Sequence, residues 1–78
     1  MGMANDQLDY LDDIVTAIRD GVAGARDMVG PLSTGQRLYV AMAANDMTLA
    51  NDYTIVQAIA RLESADLQQL VARWQYNG

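Results

Sequence analysis

The sequence predicts an all-α fold: a small bundle of about four helices, with a long N-terminal helix over about residues 5–29 and a three-helix C-terminal part. Three observations lead there. Apolar residues recur at steps of three and four along the first third of the chain. Ser33-Thr34-Gly35-Gln36 and Thr54-Ile55-Val56-Gln57 each place a hydroxyl three residues before a glutamine, the pattern of a capping box. No window alternates apolar and polar residues as a half-buried strand does.

The chain is read as a single helical domain over residues 1–78, with a disordered start at 1–4. In helix one (5–29), Leu8, Leu11, Val15, Ile18, Val22, Ala25 and Val29 form a heptad-like seam. Tyr10, Ile14, Ala17, Gly21, Gly24 and Met28 form a second row beside it. A surface helix needs an apolar stripe of only about 100°, and the two rows together are wider. Helix one is therefore expected to have two neighbours. Leu11, Val15, Ile18, Ala17, Gly21, Gly24 and Met28 are the candidates for self-association or helix packing, with the glycines admitting another backbone. The competing reading is a break in which Gly21 caps a helix ending at Asp20. Gly30-Pro31 ends the segment in either case.

Helix two runs over 34–44 from the Ser33 box, with Leu38, Ala41, Met42 and Tyr39 inward and Asn45-Asp46 at its end. A connection follows, with Leu49 tucked in. Helix three (54–63) places Ile55, Val56, Ile59 and Leu62 on its inner side. Ser64 is the expected N-cap of helix four (65–76), whose Leu67, Leu70, Val71 and Trp74 follow i, i+3, i+4, i+7. Asn77-Gly78 stops it. Trp74 reads as core and Tyr76 as exposed.

Composition narrows the function. A chain of 78 residues buries only about 60% of its unfolded surface, so small domains of this kind gain from a partner. Cysteine is absent, as expected of a reducing compartment. Met1 to Asp6 lacks a signal-peptide pattern, and no run is long enough to span a membrane. A cytoplasmic protein without membrane contact is expected. With no histidine, cysteine or lysine there is no nucleophile–base pair and no transition-metal ligand set, so neither an enzyme nor a cofactor protein is expected. Asp9-x-x-Asp12-Asp13 resembles, in reverse, the paired-aspartate motif of isoprenoid synthases, but such enzymes need a deep cavity that this chain is too short to enclose. A solvated helix face is the favoured reading there.

The net charge is −5. A polyanion binder needs a concentrated basic surface, and this chain has only scattered arginines, so no direct nucleic-acid binding is expected. Asp6, Asp13, Asp20 and Asp27 recur every seven residues, and Asp9 joins the same face. This acidic stripe is either a solubilising face or a docking face for a basic surface on another protein. The expected function is a non-catalytic interaction module, an inhibitor or adaptor acting by binding, and a homodimer through helix one. In size and charge it resembles phage and mobile-element accessory proteins that counter host machinery, for example by occupying a basic nucleic-acid-binding surface. The alternatives are a helix-turn-helix-like regulator using helices two and three, and a small helical ligand- or metal-binding protein.

Overall fold

The computed structural model describes residues 2–50 and 53–75. Its elements are α1 (Asn5–Arg19), a 3₁₀ turn (Ala25–Val29), α2 (Thr34–Ala43), a second 3₁₀ turn (Met47–Ala50), α3 (Ile55–Arg61) and α4 (Ser64–Trp74). Among the described residues there is no strand, and the fold is a small all-α bundle. The expected positions of Met1, of Tyr76 and of the Asn77-Gly78 stop lie outside the described residues.

Helix one is shorter than its apolar rhythm predicts. It ends at Arg19, not near Val29, with Asp20 as the C-cap. Gly21 takes the left-handed conformation at φ 74°. Its N–H donates to the Ile18 carbonyl at 3.1 Å, and the Val22 N–H donates to the Ala17 carbonyl at 2.9 Å. These two bonds form a Schellman motif, which satisfies carbonyls that the helix end would leave orphaned. Gly24, at φ 81°, then turns the chain into the 3₁₀ segment, which returns Ala25 and Val29 to the core. No heavy atom beyond the neighbouring residues lies within 4 Å of a Cβ built on either glycine. The glycines serve backbone conformation, and no second backbone packs on them here.

That assignment reverses the sign of a simple substitution. In a helix interior, Gly→Ala stabilises by about 1 kcal/mol. At a left-handed position the added Cβ costs about 1 kcal/mol. Gly21→Ala is therefore expected to lower the melting temperature, as measured by circular dichroism; a rise would restore the continuous helix.

The chain start also differs from expectation. The Met3 N–H donates to the Asp66 carboxylate at 2.7 Å. A Cβ on Gly2 would come within 2.9 Å of Ala65 and of Asp66. Gly2 and Met3 therefore lie against α4, and Asp66 is buried where it receives them.

α2 is the hub. Leu38, Tyr39, Val40, Ala41 and Ala43 are all buried, the mark of a helix with neighbours on several sides. Tyr39, Val40 and Ala43 join Leu8, Leu11, Ile14, Val15 and Val29 in one cluster. Leu38 and Ala41 join Ala50, Ala58 and Leu62 in a second. Both expected capping boxes form: Ser33 with Gln36 opens α2, and Thr54 with Gln57 opens α3. α2 closes on a second Schellman motif, with Asn45 left-handed at φ 55°. Asp46 then accepts from the Thr48 backbone N–H and hydroxyl and pairs with Arg26, tying the first 3₁₀ turn to the second. The Thr48 hydroxyl, and after it Arg26, holds the Asp46 carboxyl below its ordinary value.

α3 turns out differently from its expected burial. Ala58 and Leu62 face inward, whereas Ile55, Val56 and Ile59 are exposed. The cluster they were expected to join is built largely of alanines and ends at Leu62, where the backbone becomes extended. Ser64 is the first residue of α4; Glu63 holds the cap position without a side-chain cap bond.

Candidate functional site

The polar side of α1 divides into two edges with different fates. On one edge the carboxylates are spent inside the fold. Asp12 Oδ1 accepts from the Tyr39 hydroxyl at 2.6 Å and from the Trp74 indole N–H at 2.8 Å. Asp12 Oδ2 accepts from Arg73 at 2.7 Å, and Asp9 receives the same guanidinium nitrogen at 2.8 Å. The cation shared by Asp9 and Asp12 is thus the chain's own arginine. Arg19 lies 5.6 Å above the Trp74 ring and donates to the Ala43 carbonyl. These contacts clasp α4 to α1 and α2.

Electrostatics follow the geometry. Burial raises the Tyr39 phenol well above its ordinary value, and its bond to the Asp12 carboxylate adds to that. The neutral phenol is therefore favoured in the fold. Its contribution is whole below the ordinary phenol value near pH 10 and is lost as the pH rises beyond it. The bonds to Asp9 and then Asp12 push Arg73 upward, so it stays charged.

The other edge is open. Asp6, Asp13 and Asp20 are exposed, and among the described residues none of the three carboxylates has a hydrogen-bond or ion-pair partner. With Tyr10 and Ala17 they fall within about 80° of one another at about 100° per residue. Tyr10 is 52% exposed in the middle of this line. The stripe expected from the heptad spacing therefore survives at three positions. Asp9 is drawn to Arg73, and Asp27 sits on the 3₁₀ turn beyond the break, exposed but off the α1 line.

The candidate packing residues are placed as follows. Leu11 and Val15 are fully buried, and Ile18 packs half-buried against the same cluster. Ala17 is half-buried and Met28 exposed. Gly21 and Gly24 lie in the turn. The bundle itself covers most of the apolar width that helix one was expected to offer to a second copy.

Two features went unread in the sequence. Asp12 is an ordinary member of an acidic helix face until Tyr39, Arg73 and Trp74 converge on it from far along the chain. The outer side of α3 reads as an inner face by periodicity alone. No helix among the described residues is long and apolar enough to cross a membrane. No family model matches this chain, and comparison with curated proteins and with solved structures gives no match.

Proposed function

We propose that this protein is a non-catalytic binding module that docks the outward edge of α1 on a basic surface of another protein, and acts by occupying that surface as an inhibitor or adaptor. The observation that carries this reading is the line Asp6-Tyr10-Asp13-Asp20. The fold neutralises Asp9, Asp12 and Asp46 with Arg73 and Arg26, yet among the described residues Asp6, Asp13 and Asp20 have no partner and flank an exposed tyrosine. Complementary charge speeds encounter and selects partners, and tyrosine is enriched among residues that dominate binding energy.

Asp20 adds support. It caps the C-terminal end of α1, where the helix dipole is negative and a carboxylate is unfavourable. An acid at that position works against the fold. The helix-turn-helix alternative draws less support, because α3 would present Ile55, Val56 and Ile59 to DNA beside the single arginine Arg61. A nucleic-acid reader needs phosphate-contacting cations there.

The test is calorimetric titration with an octa-arginine peptide as the basic probe. Asp13→Asn and Asp20→Asn are each expected to weaken binding about three- to fivefold at low salt. Asp27→Asn, off the line, is expected to change it less. Asp20→Asn should also raise the melting temperature while it weakens binding, because it removes a charge from the wrong end of the helix. Equal losses from Asp27→Asn and Asp13→Asn would reduce the stripe to net charge alone and overturn the reading.

A further inference from the structure

α4 is joined to the rest of the molecule mainly through polar groups. The buried side chains of both core clusters come from α1, the two 3₁₀ turns, α2, α3 and Leu62, and none comes from α4. Leu67, Leu70 and Trp74 of α4 pack on those clusters only half-buried. The buried residue within α4 is Asp66, which accepts from the Met3 N–H. At the other end, Arg73 bridges Asp9 and Asp12 of α1, and the Trp74 indole donates to Asp12. The body thus has its core without α4, and α4 supplies a cation that sits on the carboxylates of α1.

We propose that Arg73 makes an autoinhibitory contact: α4 opens as a unit from a body that stays folded, and the opening frees Asp9 and Asp12 for the basic segment of a partner. The functional half of this rests on the docking reading of α1 given above. Elements that open locally are those with few buried apolar contacts, and α4 meets that condition. Arg73 is then the chain's own competitor for the face that a partner's cations would occupy. The side chain of Asp9 is 68% exposed, so an incoming cation reaches it before Arg73 has left. Asp12 follows only when α4 moves, because its side chain is 21% exposed and also takes the Tyr39 hydroxyl. Once both are free, the acidic edge of Asp6, Asp13 and Asp20 widens to include them.

The closed form dominates in the free protein, since the bonds at Asp12 and the Arg19 contact on the Trp74 ring all favour it. A basic partner raises the open fraction only by the ratio of its affinities for the two forms. Arg73 therefore tunes affinity at the α1 edge and does not abolish binding there.

Amide hydrogen exchange on the full chain tests the opening. The amides of α4 from Leu67 to Arg73 are expected to share one level of protection, at least about tenfold below that of the slowest amides of α1 and α2. Trp74 is the single tryptophan of the chain, so its emission in urea should shift before the helical signal is lost. The competition is tested by calorimetric titration with octa-arginine at low salt. Arg73→Gln is expected to bind about three- to fivefold more tightly than Arg61→Gln, which removes the same charge away from the contact; circular dichroism confirms that both variants remain folded. Exchange of α4 only together with the slowest amides of α1 and α2 overturns the proposal. So does equal binding by Arg73→Gln and Arg61→Gln when Asp13→Asn still weakens it. If Asp13→Asn and Asp20→Asn leave octa-arginine binding unchanged, the docking reading falls instead, and the exchange result alone upholds or overturns the opening of α4.

Discussion

Asp12→Ala is expected to lower the stability of the protein by about 3 kcal/mol, a large part of what holds a domain of this size together. The Asp12 side chain is 21% exposed, so its interactions are made largely out of water. Its removal leaves the hydroxyl of fully buried Tyr39 and the indole N–H of Trp74 without their acceptor. Arg73 retains Asp9, which lies at the exposed rim. Asp12→Asn keeps an oxygen for Tyr39 and Trp74 but turns an amide toward Arg73, so its loss should be smaller, about 1 to 2 kcal/mol. Urea unfolding followed by circular dichroism measures both. Hydrogen exchange should show the loss concentrated in α4, whose buried anchor within the helix is the polar Asp66. A change below about 1 kcal/mol for Asp12→Ala would mean that the clasp is incidental to the fold.

Leu11→Ala is the second large effect, about 2 to 5 kcal/mol of lost stability with no change in solution mass at matched concentration. Leu11 is fully buried between α1 and α2, in the cluster that also holds Val15, Tyr39 and Val40. Truncation removes transfer energy and leaves a cavity that rigid neighbours fill only partly. The mass readout separates core from interface. Had the apolar seam of helix one faced a second copy, the same substitution would dissociate a dimer while leaving a folded monomer. With the seam inside the bundle, unfolding is expected to shift while the solution mass does not. Equilibrium unfolding and sedimentation on the same preparation decide between the two.

What was legible in the sequence was local. The Ser33 and Thr54 capping boxes form because both partners lie within one turn of each other, so no tertiary context intervenes. The all-α bundle follows from periodicity in the same way. The break at Gly21 was open as an alternative, but the three-and-four rhythm runs through it undisturbed. Ala25 and Val29 are spaced four apart and return to the core from a 3₁₀ turn, so the apolar pattern does not register the change of direction.

The features that needed tertiary structure were those set by distant segments. Asp12 meets Tyr39 across 27 positions and Trp74 across 62, and no spacing rule links them. On α3, apolar residues occupy more than half the circumference, so periodicity could not say which part α2 would cover. It covers Ala58 and Leu62 and leaves the larger Ile55, Val56 and Ile59 outside. The acidic stripe was half legible. Heptad spacing identified Asp6, Asp13 and Asp20 on one line. It could not see that Arg73 would engage Asp9, or that Asp27 would follow a turn.

α1 has an inward half that builds the core and an exposed edge that we propose as the docking face for a basic partner. The most direct measurement is a nitrogen–proton correlation spectrum of the labelled protein, titrated with octa-arginine at low salt. The expected result is a set of perturbed amides that follows Asp6, Tyr10, Asp13, Ala17 and Asp20, with little change at Asp27, Asp46 and Glu63. Perturbations spread evenly over all the acids, or centred on α3 and α4, would contradict it.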